Sequence, residues 1–240
     1  MAFRTSLVRW QKSDFVRLVE HENVTLAMVA NAVEPYRAVC PAASGLVLDA
    51  VETLWPETSG TLRARLLEVF RVAEERMWAF EGESQLYPPL ATMMVVASQG
   101  AEVCVAWIGP DVAFHVRGAQ ITKTTPHTTF KRDLHAFLTG RDAYFSEHAK
   151  GIVTRYIGSG PKPDSTNTDP SFATFTVEGG DALILVRDGE LTSDVIVREA
   201  AARAHPAKLS KRLARLAFAE RQFVTAVAVL RFDSDGAPYR

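Results

Sequence analysis

Apolar positions change their spacing several times along the chain, and each change marks an element. Phe15-Val-Arg-Leu-Val alternates weakly, and Val24-Thr-Leu-Ala-Met-Val-Ala is a short apolar run of β-formers, so the first thirty residues read as strands. Pro35 and Pro41 then break the chain. From Pro41 to Trp55 the pattern is helical, with the proline in the first turn, where its missing N–H leaves no bond unmade. Pro56 ends that helix, and a second, amphipathic one follows behind Thr58 or Ser59 as its cap. Leu62, Leu66, Phe70, Ala73 and Met77 form its apolar stripe, while Arg63, Arg65, Glu74 and Glu75 are assigned to the rest of the wheel.

Period two then takes over. Thr92–Ser98, Glu102–Ile108, Val112–Arg117 and Gln120–Lys123 are short β-type runs separated by Gly-containing turns, the signature of an antiparallel meander. Thr129–Leu138 reads as a short helix, and 159–171, with its prolines and aspartates, as a polar loop. Phe172–Val177 and Ala182–Val186 are strands around a Gly179-Gly180 turn. Helices are predicted over Asp194–Arg203 and Pro206–Glu220. The closing run, Phe223–Phe232, is apolar on both alternations, which predicts an inner strand buried on both faces. Strands, a helix pair, strands, a second helix pair and a final inner strand predict an α+β architecture of packed sheets flanked by helices. No boundary divides it, so one domain is expected over 1–240.

Composition narrows the functions. Hydrophobic residues make up 47% of the 240, and 27 Lys+Arg against 28 Asp+Glu leave a net charge of -1. A nucleic-acid binder needs a basic excess, so none is expected. There is no membrane-length apolar run and no signal-type leader, so a soluble, cytoplasmic protein is expected. Cys40 and Cys104 cannot make a disulfide framework or a cysteine zinc site, and both read as buried thiols. His21, His115, His135, His148 and His205 have no metal-ligand spacing.

Six fragments occur in a telling order. They are Ala91-Thr-Met-Met-Val-Val-Ala, Val105-Ala-Trp-Ile-Gly-Pro-Asp111 and Ile121-Thr-Lys-Thr-Thr-Pro-His127. Val153-Thr-Arg-Tyr-Ile-Gly158, Glu178-Gly-Gly-Asp through Asp188-Gly189-Glu-Leu-Thr192, and Gln222-Phe-Val-Thr-Ala-Val complete the set. From about Val8 to Phe232 the chain resembles the metal-dependent type 2C (PPM) serine/threonine protein phosphatases of the bacterial kind. That resemblance implies a four-layer αββα sandwich: two mainly antiparallel sheets face to face, with helix pairs outside.

Hydrolysis of a phosphomonoester near neutral pH needs a strong nucleophile and neutralised phosphoryl oxygens. Two divalent ions about 4 Å apart supply both. Such hard cations need carboxylates, which also relieve their mutual repulsion, roughly 16 kcal/mol at an effective dielectric of ~20. The resemblance places acidic ligands at four positions of this chain. Ser13 replaces the first. Asn31 replaces the bridging aspartate, followed by Ala32 instead of glycine, and Gln222 replaces the last. Asp188, with Gly189, is retained, and Asp14 is a weaker acidic neighbour. With three of four carboxylates gone, a binuclear centre is not expected, and at most one weakly held Mg²⁺ or Mn²⁺ remains at Asp188.

Arg9 stands where the resemblance places a phosphate-binding arginine, and reads equally as a surface salt-bridging residue. Asp188-Gly189 also suits an ordinary turn. His127 reads as a structural histidine before an acid catalyst. Glu20, Glu22, Glu34 and Asp111 are acids near the lost positions, although their spacing does not favour ligation. The leading expectation is a catalytically impaired phosphatase-like protein, not an enzyme, that binds or regulates a phosphoprotein, kinase or phosphatase partner. The alternative is an active, divergent phosphoprotein phosphatase using metal-activated water. A third reading is an oligomerisation module using the helix from Ser59 to Phe80.

Overall fold

The computed structural model describes residues 3–8, 16–32, 43–80, 90–125, 155–158, 169–186, 193–202, 205–221 and 227–232. Among these, ten strands form two five-stranded sheets whose neighbours all pair antiparallel. One sheet runs β2 (Val16–His21), β3 (Val24–Ala32), β4 (Ala91–Gln99), β5 (Glu102–Ile108) and β8 (Ser171–Thr176). The other runs β1 (Phe3–Val8), β10 (Val227–Phe232), β9 (Ala182–Val186), β6 (Val112–Arg117) and β7 (Gln120–Lys123). Helices α1 (Ala43–Leu54) and α2 (Leu62–Trp78) cover the first sheet, lying on β3, β4 and β5. Helices α3 (Ser193–Ala202) and α4 (Pro206–Arg221) cover the second, α4 across β1 and β10 and α3 beside β7.

Four layers enclose three apolar seams, which is why so many strands read as unbroken apolar runs. On β3, Leu26, Met28, Ala30 and Ala32 face α1 and α2, while Ala27 and Val29 face the opposite sheet. On β5, Cys104 and Ala106 take the helix side and Val103, Val105 and Trp107 the inter-sheet side. On β10, Val227 and Val229 meet Leu209, Leu213 and Ala214 of α4, while Ala228, Leu230 and Phe232 point inward. Burying each of these larger side chains is worth about 1.5–3 kcal/mol, so a strand apolar on both faces is the economical choice for an inner position.

Two local expectations are corrected. The cap of α2 is Thr61, whose hydroxyl oxygen accepts the Ala64 N–H at 3.3 Å, not Thr58 or Ser59. Thr58 instead closes the 3-10 turn Trp55–Glu57 by donating its hydroxyl to the Trp55 carbonyl at 2.8 Å, and Gly60 at φ +104° turns the chain into the helix. Glu74 is not on the solvent side of α2. It is buried, and its carboxylate accepts the Gly158 N–H at 2.6 Å. Cys104 is a buried thiol, and burial pushes its pKa up. Cys40 and the helix expected at Thr129–Leu138 lie outside the described residues. No helix among the described residues is long and apolar enough to cross a membrane.

Candidate functional site

The strand ends assemble one polar pole. β1 ends at Val8, β9 at Val186, and β10 and β6 begin at Val227 and Val112, and these four residues stand level across their sheet. In the other sheet β3 ends at Ala32 opposite Ala91, the first residue of β4, and Ile108 ends β5 opposite Met93. The short connection from Ile108 to Val112 joins the two sheets here. Arg9 follows β1 in the sequence, Asp188 and Gly189 follow β9, and Gln222 precedes β10. These residues, with Ser13, Asp14, Glu34 and His127, lie outside the described residues. Asn31, Ala32 and Asp111 are described and do meet at this pole. Glu20 and Glu22 are carried to the other end, around the β2–β3 hairpin turn.

Alternation decides which way Asn31 points. It continues the Ala27–Val29 side of β3, toward the inter-sheet layer, while Ala32 turns to the helix side and is buried there. The Asn31 Oδ1 atom is buried and has no hydrogen-bond donor among the described residues. Directly across the ladder is Thr92, also buried, whose hydroxyl donates to Asp111 Oδ2 at 3.3 Å. Asp111 is 1% exposed, so this is a carboxylate held inside the protein rather than at its rim.

Gly109 makes that contact reachable. It sits at φ +115°, and a Cβ there would fall 2.4 Å from Thr92 Cβ. Only glycine lets the turn lie flat on Thr92 while Asp111 curls back over its hydroxyl. Thr125 closes the other side, its hydroxyl oxygen accepting the Ala113 N–H at 2.8 Å and its proton directed to the Asp111 carbonyl at 3.4 Å. Thr124 also folds onto β6, its N–H and its hydroxyl each donating to the Ala113 carbonyl at 2.9 Å.

The segment 155–158 borders the pole. Ile157 and Ala91 exchange backbone hydrogen bonds at 2.7 and 3.0 Å, and Glu74 holds the next residue, Gly158, from the helix layer. Arg155 donates to Ser171 Oγ at 2.8 Å, tying the segment to β8. Sequence reasoning singled out the Val153–Gly158 fragment but not Glu74. An acid four positions from Phe70, next to Ala73 and Met77 on the wheel, was the available signal.

A buried acid also occupies the opposite pole. Asp181 accepts from His115 Nε2 at 2.8 Å, from Arg117 Nη2 at 2.8 Å and from the Glu178 N–H at 2.9 Å. The His115 ring stacks on Phe175, with centroids 5.0 Å apart. Burial alone would raise the Asp181 pKa, but Arg117, the Glu178 N–H and His115 outweigh it and hold the carboxyl below its ordinary range. This clasp joins β6 to the β8–β9 turn and so links the two sheets.

The chemistry on offer at the first pole is limited. Among the described residues it has one orphaned amide oxygen, a carboxylate tied to a threonine hydroxyl, and a tight glycine turn. No group of three or more His, Cys, Asp or Glu among the described residues could hold a metal ion. The Asn31 amide oxygen is a competent ligand for a hard dication, but it brings no formal charge to offset one.

No protein-family model and no curated protein matches the chain. Solved structures do. The serine/threonine phosphatase of S. agalactiae superposes with TM-score 0.77 at 20% identity, over 97% of this chain and 98% of that one. The Mycobacterium tuberculosis serine/threonine phosphatase PstP/Ppp gives 0.73 at 19%, over 97% of each chain. The catalytic domain of PstP in complex with two manganese ions gives 0.69 at 19%, over 95% of each. Layer order, sheet topology and end-to-end superposition agree that this chain has the fold of the bacterial PPM-type serine/threonine phosphatases.

Proposed function

We propose that the chain is a non-catalytic protein of this fold that works by binding or regulating a phosphoprotein, kinase or phosphatase partner. The observation that carries the reading is Asn31. It stands one residue before the end of β3, at the inter-sheet pole where the resemblance puts a metal-bridging carboxylate, and its side-chain oxygen is neutral, buried and without a donor among the described residues. Ser13 and Gln222 add two further neutral groups at the positions assigned to acids. Of the four assigned positions, Asp188 alone offers a full negative charge against the four positive charges of two dications, so most of the repulsion between them stays uncompensated. Arg9 is the group assigned to a partner's phosphate, because a guanidinium can grip phosphate with two parallel hydrogen bonds without a metal.

Titration with Mn²⁺ by calorimetry, beside hydrolysis of p-nitrophenyl phosphate, tests this reading. Neither strong binding of two ions nor metal-dependent turnover is expected. Turnover on the order of 1 per second or more would overturn it.

A second reading, an active divergent phosphatase, draws on Asp111. This buried carboxylate accepts the hydroxyl of Thr92, the residue opposite Asn31, and it is the one described acid at that pole near a lost ligand position. Under this reading Asp188→Ala and Asp111→Asn each abolish a measurable metal-dependent activity. Equal inertness of wild type and both variants ends it.

A further inference from the structure

The outer surface of α2 carries a line of side chains that the packing of one chain does not use. Leu67, Trp78 and Phe80 are the exposed large hydrophobics among the described residues, at 44%, 54% and 38%. Leu67 and Trp78 are three helical turns apart and therefore share one line along the helix. Arg71 and Glu75 lie between them along the same outward side, about 40° and 80° round the helix from Leu67. The opposite face, with Leu66, Phe70, Ala73 and Met77, is buried in the seam under β4 and β5. The line Leu67–Arg71–Glu75–Trp78 thus looks outward from an outer layer.

Its order is self-complementary. The midpoint of Leu67 and Trp78 and the midpoint of Arg71 and Glu75 differ by about half a residue, so one two-fold axis near Val72 and Ala73 serves both pairs. Antiparallel pairing about that axis sets Leu67 against Trp78 of the other copy, and Arg71 against its Glu75. Parallel pairing would instead place Arg71 on Arg71 and Glu75 on Glu75.

We propose that α2 is an interface with a second copy of this chain, paired antiparallel about Val72–Ala73. Trp78 and Leu67 provide the contact area. The charges set direction and register, since exposed ion pairs add little affinity. Arg71 already bonds Glu68 at 2.6 Å and also bonds Glu75 within its own helix, so the charged centre is preassembled before the copies meet. A contact built on one helix from each copy falls short of the roughly 1,200 Å² of a stable interface, which makes the dimer weak and concentration-dependent.

Analytical ultracentrifugation of the full chain from about 10 µM to about 1 mM, which spans weak association, reads the dimer directly. Wild type is expected to pass from monomer to dimer, with its tryptophan emission shifting to the blue as Trp78 is covered. Trp55 and Trp107 are already buried. W78E and L67K, at exposed positions, are expected to raise the dissociation constant at least about tenfold while far-UV circular dichroism stays unchanged. R71E and E75R are each expected to weaken the dimer, and R71E together with E75R to restore it. A wild type that stays monomeric throughout would overturn the proposal. So would W78E and L67K dimerising as wild type does, or a charge swap no better than the single reversals.

Discussion

Replacing Gly109 by alanine probes the turn that brings Asp111 over Thr92. The new Cβ would sit 2.4 Å from Thr92 Cβ, 2.5 Å from its Cγ2 and 3.4 Å from its Cα, at a residue whose φ is +115°. The backbone conformation costs an L-residue about 1–3 kcal/mol, and forcing an added methyl into a filled space costs about 1–3 kcal/mol more. Thr92 cannot step aside cheaply, because β4 is hydrogen-bonded on one side to β3 and on the other to β5. Gly109→Ala is therefore expected to destabilise by about 4 kcal/mol, read as a lower urea midpoint at unchanged slope. The same substitution in a Thr92→Gly background should cost only the backbone part, about 1–3 kcal/mol, since both close atoms are then gone. Thr92→Ala keeps the Cβ at 2.4 Å and should not relieve the cost. A loss below about 1 kcal/mol, or one that does not change in the Thr92→Gly background, would refute this packing.

Three further outcomes follow from the buried acids and Asn31. Asp181→Asn should cost about 2–4 kcal/mol at pH 7, because Arg117 and His115 lose their anion. The folded pKa of Asp181 is depressed, so its contribution is complete above its unfolded value of about 3.9 and is lost as pH falls through the folded value. The gap between wild type and Asp181→Asn in urea unfolding should thus close in acid, and a gap constant with pH would contradict the assignment. Asn31→Asp, without metal, puts a carboxylate where an oxygen already lacks a donor among the described residues. It should destabilise by about 2–4 kcal/mol at pH 8 and less near pH 4, and equal stability at both pH values would count against the buried site. Glu74→Ala should cost about 1.5–3 kcal/mol and speed hydrogen exchange at the Gly158 and Ile157 amides, with unchanged exchange there counting against the clamp.

Much of the architecture was legible because burial on both faces leaves a plain mark. The run ending at Phe232 reads as a strand buried on both faces for the same physical reason that it occupies an inner position, with apolar seams on either side, and the apolar run from Val24 reads as a strand and also proves to be an inner one. The direction of Asn31 follows from the same alternation. The contacts made at long range left no such mark. Asp111 reaches Thr92 only because Gly109 has no side chain, and His115 meets Asp181 across 66 residues of sequence. Glu74 sits at the edge of an apolar stripe, where the helical wheel does not say whether a neighbouring N–H waits underneath. The cap of α2 was missed because Thr58, Ser59 and Thr61 all offer a hydroxyl, and the positive φ of Gly60 decides which one stands at the helix start.

The absence of a paired-metal centre is the claim on which the functional proposal depends most, and anomalous diffraction at the manganese edge tests it most directly. Crystals grown with excess Mn²⁺ are expected to show at most one weak peak near Asp188 and none bridging to Asn31. Two strong peaks about 4 Å apart at the Asn31 pole would contradict the proposal, because such a pair is the arrangement that activates a bridging water for phosphate hydrolysis.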